Sequence, residues 1–253
     1  MTAPLLEVRG ITVTFGGLTA VDDLSFQVRK GTVHALIGPN GAGKSTVFNC
    51  ISRYYRPARG SILLDGQDIL GIRGDRMARL GVARTFQNLE LFAELSVYEN
   101  VLLGCYAHSA STIARLLRRP DARTRELVDG LIERVGLAKE RETRARELDF
   151  GRQKLLELAR ALALRPRLLL LDEPAAGLRN RDIESLDRLL SELASRDGIT
   201  VLLVEHVMQL VMSISHRITV MSFGQKIAEG TPQEVSRDPA VSEAYLGKGA
   251  AGA

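Results

Sequence analysis

Two stretches of this chain carry residue types that handle phosphate groups. The first, Gly38-Pro39-Asn40-Gly41-Ala42-Gly43-Lys44-Ser45, meets every fixed position of the pattern G-x-x-x-x-G-K-[ST]. Glycines there let backbone N–H groups turn inward without Cβ clashes. With the positive end of a helix opening at Ser45-Thr46, those donors make a cradle for phosphate oxygens. Lys44 is long enough to reach the β- and γ-phosphates of a nucleoside triphosphate, and the Ser45 hydroxyl can ligate Mg²⁺. The second stretch is Asp172-Glu173. Asp172 can hold Mg²⁺ through a water, and Glu173 can polarise an attacking water. His206 could reach the γ-phosphate. The plainer alternatives are a glycine-rich turn with an exposed lysine, and an Asp-Glu pair that only caps the next helix.

The elements around these residues are those such chemistry requires. Thr32 to Ile37 is β-branched and aliphatic, a buried strand leading into the glycine turn, and Ser45 to Ile51 can open a helix. Leu168-Leu169-Leu170-Leu171 reads as a buried parallel strand with Asp172 and Glu173 at its carboxyl end, where open α/β sheets place ligand chemistry. Thr200 to Val204 is another, ending on Glu205-His206. Leu6–Thr14 and Ser25–Arg29 read as short strands broken by Gly16-Gly17 and Lys30-Gly31. Phe15, at the first of these turns, is either a core aromatic or a ring that stacks on a base. Ser61–Ile69 reads as a strand ending in an Asp-Gly turn, and Gly81–Gln87 as a short strand ending on glutamine. From Ser96 to Arg146 the apolar spacing turns helical (Val97, Val101, Leu102; Ile113, Leu116, Leu117; Leu127, Val128, Leu131, Ile132, Val135), and Leu148–Leu164 holds a turn and a long helix. Ile183–Leu193 is an amphipathic helix, and Ile218 to Ala228 a closing hairpin. The tail from Gly247 is small and expected to be mobile.

Composition narrows the classes. The chain has 253 residues, 45% hydrophobic and 25% charged, ordinary for a globular domain. No apolar run approaches the ~18–20 residues that cross a bilayer. The N-terminus lacks a charged, then apolar, leader, so no secretion signal is expected. Net charge +4 and a pI of 9.3 are compatible with polyphosphate, nucleic acid or an anionic surface and select none of them. Cys50 and Cys105 fit no metal-ligand pattern and read as small buried hydrophobes. Residues 115–125 hold five arginines against Asp121, either a solvated face or a surface for a partner or lipid headgroups.

The order of these motifs resembles the ATP-binding subunit of an ABC transporter over about residues 5–247. The aromatic turn (Phe15), Walker A (38–45), Q-loop glutamine (Gln87), helical region, signature Leu148-Asp149-Phe150-Gly151-Arg152-Gln153, Walker B (168–173), D-loop (176–179) and switch histidine (His206) follow in family order. The resemblance implies an α/β fold: a RecA-like P-loop core, about 1–88 and 160–232, with an N-terminal antiparallel β subdomain and an inserted α-helical subdomain, about 89–159. Residues 1–247 would form one ATPase domain and 248–253 a flexible tail. ATP and Mg²⁺ are the implied cofactors. Phe15 and Val21 would hold the adenine side, Asn40, Gly41, Gly43, Lys44, Ser45 and Thr46 the phosphates, and Ser45, Gln87 and Asp172 the metal. Glu173 would be the general base, with His206 on the γ-phosphate. Asp149, Phe150, Gly151, Arg152 and Gln153 would face the ATP of a second ATPase subunit, alike or different, packed head to tail. Implied partners are transmembrane permease subunits at the inner face of the cell membrane, on its cytoplasmic side, and no nucleic acid. Asp172 to Leu178, Val204-Glu205-His206 and the C-terminal Glu229-Gly230-Thr231-Pro232…Ala244-Tyr245-Leu246-Gly247 resemble the LivG-type ATPases of branched-chain amino acid importers. ATPases for urea or short amides and for lipopolysaccharide export share much of this pattern.

Two positions depart from it: Asp149 stands at the usual signature serine and Arg179 at the polar D-loop residue. A carboxylate near a γ-phosphate repels it by about 4 kcal/mol per charge pair at ~4 Å and an effective dielectric of ~20. The other reading is that Asp149 turns away and caps the following helix. Among competing functions, a soluble ABC ATPase acting on ribosomes or DNA usually carries two cassettes or a long coiled coil, and a GTPase an Asn-Lys-x-Asp motif; this chain has none of these. A binding module without turnover sits poorly with the presence of Glu173 and His206. If the arginine-rich segment docks on a permease, reversing the charge of Arg118 and Arg119 is expected to weaken co-purification with it while leaving ATP binding intact. Unchanged co-purification would reduce the segment to a solvated face.

Overall fold

A computed structural model describes residues 3–86, 89–106 and 120–246. Gln87, Arg115, Arg118 and Arg119, the helical spacing at Ile113, Leu116 and Leu117, and the tail from Gly247 lie outside the described residues. The chain forms two compact units, Met1–Asp75 with Leu190–Ala253, and Arg76–Leu189.

The first unit opens with a long hairpin, β1 (Pro4–Phe15) and β2 (Leu18–Arg29). Both strands outrun the short segments expected from sequence. Leu6, Val8, Ile11 and Val13 of β1 and Val21, Leu24, Phe26 and Val28 of β2 are buried, so cross-strand packing carries the pairing past the polar residues between them. β3 (Val33–Ile37) is buried along its whole length and leads to α1 (Lys44–Ile51). β4 (Arg59–Leu64) and β5 (Gln67–Asp68) replace the single strand expected over Ser61–Ile69. Asp65 and Gly66 both take positive φ, 51° and 80°, which folds the Asp-Gly turn into a tight hairpin inside that stretch. The antiparallel sheet has the order β2-β1-β4-β5.

In the second unit, β6 (Val82–Arg84) runs parallel to β7 (Leu168–Asp172), the four-leucine strand. The same unit holds the helices α2 (Val97–Tyr106), α3 (Ala122–Arg134) and α4 (Phe150–Ala163), of which α4 lies against β6. α2 lies against both others. Asp121 begins α3 by accepting the Thr124 amide at 2.7 Å. α5 (Asn180–Ser195) leads out of this unit and buries Leu186, Leu189, Leu190 and Leu193 on one face.

Back in the first unit follow β8 (Thr200–Val204), α6 (Met208–Ile214), β9 (Arg217–Ser222), β10 (Gln225–Gly230), α7 (Pro232–Val235) and α8 (Pro239–Leu246). β3 lies between β8 and β9, parallel to both, and β10 closes antiparallel on β9. The last three helices carry too little periodicity to be expected from sequence; α7 is short and held by a capping box between Thr231 and Glu234. Their apolar residues join a core of Ala35, Ile37, Val211, Ile218, Val220 and Val235, with Val241 of α8 packed against it. Among the described residues no helix is long and apolar enough to cross a membrane. Cys50 is buried and Cys105 half-buried, both as free thiols.

His34 stands on β3 with its ring Nε2 2.8 Å from the Thr219 hydroxyl. Burial holds its pKa down, to about 4, against the pull of Glu229. The imidazole is therefore folded neutral but protonates in the unfolded chain below about pH 6.5. Its contribution is complete above that pH and is lost as pH falls toward 4, by roughly 3 kcal/mol. The urea midpoint is expected to drop across that window, and His34→Gln to flatten the drop; a parallel pH profile in the variant would exclude His34 as its source.

Candidate active site

Local sterics set the phosphate loop. Gly38 has φ 152° and Gly43 has φ 98°. A Cβ at Gly38 would stand 2.1 Å from the Met221 carbonyl oxygen, and one at Gly43 2.5 Å from that of Ala20. Only glycine fits either place. Within the loop the Ala42 amide donates to Pro39 O (3.2 Å); the loop is tied to its neighbour by Gly224 N–H to Ala42 O (3.1 Å), and the Asp22 amide donates to Gly224 O (2.9 Å). Asn40, Gly41 and Ser45 are exposed and Thr46 half-exposed. Lys44 is buried, its ammonium donating to the carbonyls of Gly38 (2.7 Å) and Pro39 (3.0 Å). The lysine is thus stored on the loop's own carbonyls at the first residue of α1. Val21 is fully buried, with its side chain near Gly43. Phe15 is not a core aromatic: its ring is 44% exposed and meets Tyr55 edge-on at 5.1 Å. His206 is exposed just past β8. Sequence reading gave Glu205 no role, yet this buried carboxylate accepts the amides of His206 (2.6 Å) and Val207 (3.0 Å) and fixes the turn that carries the histidine. A lone acid between a buried strand and a histidine is the available signal.

In the other unit, Asp172 ends β7 and is buried. Arg84, at the end of β6, reaches it at 3.2 Å, with both side chains almost wholly buried. Arg84 is a second residue to which sequence reading gave no role; its place on a strand hid a partner 88 positions away. Burial pushes the Asp172 carboxyl up and Arg84 pulls it back only in part. The arginine also lies 5.0 Å from the Phe86 ring, and the Phe86 amide donates to buried Glu157 of α4 at 3.0 Å. Glu173 follows with φ 51°, a left-handed conformation costly for a side chain of its kind, and its carbonyl accepts the Ala176 amide. Gln87 is outside the described residues.

Asp149 is the N-cap of α4: its carboxylate accepts the Arg152 amide at 2.9 Å and lies 3.8 Å from the Arg152 guanidinium. Of the two readings of this departure, the structure shows the cap. Arg152 also pairs with Glu140 at 2.8 Å, and the Gln153 amide donates to Ala145 O. Phe150 is half-exposed against Gly177, and Gly151 adjoins Leu178, so signature and D-loop touch. Together with Arg134, Arg179 and Arg181 they border a polar cavity of about 600 Å³. Glu133, Asp149 and Asp182 share that wall with the arginines, so its lining is mixed in charge.

Comparison with known proteins agrees with this geometry. Residues 21–176 match the family described as ABC transporter, and residues 225–251 match the one described as branched-chain amino acid ATP-binding cassette transporter. The chain is 44% identical to the high-affinity branched-chain amino acid transport ATP-binding protein BraF of Pseudomonas aeruginosa, over 98% of this chain and all of that one. It is 43% identical to LivG of Salmonella typhimurium over the same shares. The ADP conformation of MJ1267, an ATP-binding cassette of an ABC transporter, superposes with a TM-score of 0.84 at 33% identity, covering 97% of this chain and 100% of that one. The chain belongs to the ABC transporter ATP-binding subunits and is an ATPase with their α/β cassette fold.

Proposed function

We propose that residues 1–247 act as one ATPase domain energising import of branched-chain or related amino acids, attached to permease subunits at the inner face of the membrane and paired with a second ATPase subunit. The observation that carries this reading is the match of the C-terminal segment, residues 225–251, to the branched-chain amino acid family, beside full-length similarity to BraF and LivG. Uptake of labelled leucine by vesicles holding this chain, its permease subunits and binding protein tests it. Uptake of urea or an amide instead, or none that depends on this chain, would overturn the substrate.

The roles follow from the chemistry of each side chain. The loop amides and Lys44 hold the phosphates, Phe15 offers an exposed ring for adenine, buried Val21 backs the loop at Gly43, and the exposed His206, on a turn fixed by Glu205, takes the γ-phosphate. Oxygen donors on Ser45, Gln87 and Asp172 suit a hard cation such as Mg²⁺, and the Arg84 guanidinium beside Asp172 marks that carboxylate as one that takes a positive partner. When bound, Mg²⁺ neutralises charge on the β- and γ-oxygens. Glu173 orients and deprotonates the attacking water. Phe150 to Gln153, with the cap Asp149, present the end of α4 to the partner's ATP.

Lys44→Ala is expected to abolish ATP binding or turnover, and Glu173→Gln to bind ATP but hydrolyse it at least ~10²-fold more slowly, both read by equilibrium binding and phosphate release. Full hydrolysis in Glu173→Gln would place the base elsewhere. Because Asp149 is engaged in a cap that serine also makes, Asp149→Ser should leave the ATPase rate and dimerisation of the isolated chain within about two-fold. A rise of ~10-fold or more would show the carboxylate facing the partner's phosphate.

A further inference from the structure

We propose that Glu157 of α4 is a positioning residue for Asp172: its carboxylate grips the chain just past β6 and so holds in place the two residues, Arg84 and Thr85, that orient Asp172. The inference rests on the reading of Asp172 as the carboxylate that holds Mg²⁺ and adds a support for it from the signature helix.

The place of Glu157 is the first observation. It is 1% exposed and sits on α4 beside buried Leu156, Leu158, Ala159 and Ala161. A carboxylate in such company is costly unless it is hydrogen-bonded. Its Oε1 accepts the Phe86 amide at 3.0 Å. Its Oε2 is buried with no hydrogen-bond partner among the described residues. A side chain serving packing alone would not leave such an atom, so the bond to Phe86 is what the carboxylate is there to make.

What it grips is a strand end already held on its other side by β7. The Thr85 amide continues the β6–β7 ladder, donating to Leu170 O at 2.9 Å, and the Thr85 hydroxyl accepts the Asp172 amide at 3.3 Å. Arg84 reaches the Asp172 carboxylate at 3.2 Å and lies 5.0 Å from the Phe86 ring. Both contacts that orient Asp172 thus come from the two residues just before the amide that Glu157 holds. β6 has only three residues, Val82–Arg84, paired to β7, so its own ladder does little to fix its end. The bond from α4 stands where that ladder runs out. Glu157 lies about two turns along α4 from the cap Asp149. The helix that offers its first turn to a partner's ATP is therefore also the support of the chain's own metal carboxylate. Orientation held in advance in this way acts on metal-dependent binding of nucleotide.

The test is Glu157→Met in the full chain, which keeps an unbranched, adaptable side chain and removes the acceptor. Without nucleotide, hydrogen exchange of the Phe86 and Asp172 amides should quicken about five-fold. The Mg²⁺ concentration that half-saturates ATP binding should rise about five-fold, the size of one net hydrogen bond. Glu157→Gln keeps an acceptor oxygen and should bring both back to within about two-fold of wild type. Leu162→Ala, a packing loss further along α4, should lower the melting temperature and move neither. Glu157→Ala takes the place of the methionine variant if that one does not fold. Wild-type exchange and Mg²⁺ dependence in Glu157→Met would overturn the inference, whatever its melting temperature. So would a lower Mg²⁺ requirement, which would make Arg84 a competitor of the metal rather than an orienter of Asp172, and so would a Glu157→Gln variant as impaired as Glu157→Met. Asp172→Asn separates the two levels: if it leaves the Mg²⁺ dependence of ATP binding unchanged, the reading of Asp172 fails; if it raises the requirement while Glu157→Met does not, only the role of Glu157 fails.

Discussion

Where β3 passes into α1, two backbone positions leave no room for a side chain, and the rest of the first unit is arranged around that fact. Gly38 runs against the carbonyl of Met221 on β9, and Gly43 against that of Ala20 on β2. The loop is therefore shaped by contacts with two different strands, one from each sheet of the unit. A loop defined this way does not need to fold around a ligand. Its donors stand in place beforehand, which lowers the ordering cost of binding. The bonds from Gly224 to Ala42 and from Asp22 to Gly224 extend the same lacing to the tip of the β9–β10 hairpin.

Charge is handled by the same economy of placement. Lys44, Asp172 and Glu205 are buried, a costly state for an ion unless it is paired or hydrogen-bonded. Each has its compensation: Lys44 on two loop carbonyls, Asp172 against Arg84, Glu205 on two amides. Asp172 and Glu205 stand at or just past the carboxyl end of a parallel strand, and Lys44 just beyond the loop that follows one, as ligand chemistry in open α/β sheets requires. The neighbours supply the hydrogen-bond and charge partners that burial requires and aim these groups, and they are what a list of catalytic motifs omits.

The signature region shows how a departure from a family pattern can be absorbed. Aspartate in place of serine keeps the N-cap of α4, since both side chains accept an amide at that position. The Arg152 guanidinium beside it offsets the added negative charge, and Arg134, Arg179 and Arg181 border the same cavity. The Asp149 charge is thus one of several of both signs along that wall, Glu133 and Asp182 among them, with the Arg152 guanidinium as its near partner.

Much of this protein was legible in its residues. The phosphate pattern at 38–45, the four leucines before Asp172 and the strand before Glu205-His206 named the fold class and most of the candidate site, because each depends on local sterics, hydrophobic period or a fixed spacing. The lengths of β1 and β2, the hairpin at Asp65-Gly66, the exposure of Phe15 and the choice of Asp149 as cap were decided by tertiary packing. So were the partners that complete the site: Arg84 for Asp172 and Glu205 for the His206 turn. These pairs join residues far apart in the chain, or turn on which way a side chain is buried, and neither a motif nor a period encodes the direction in which a side chain will find its counter-charge.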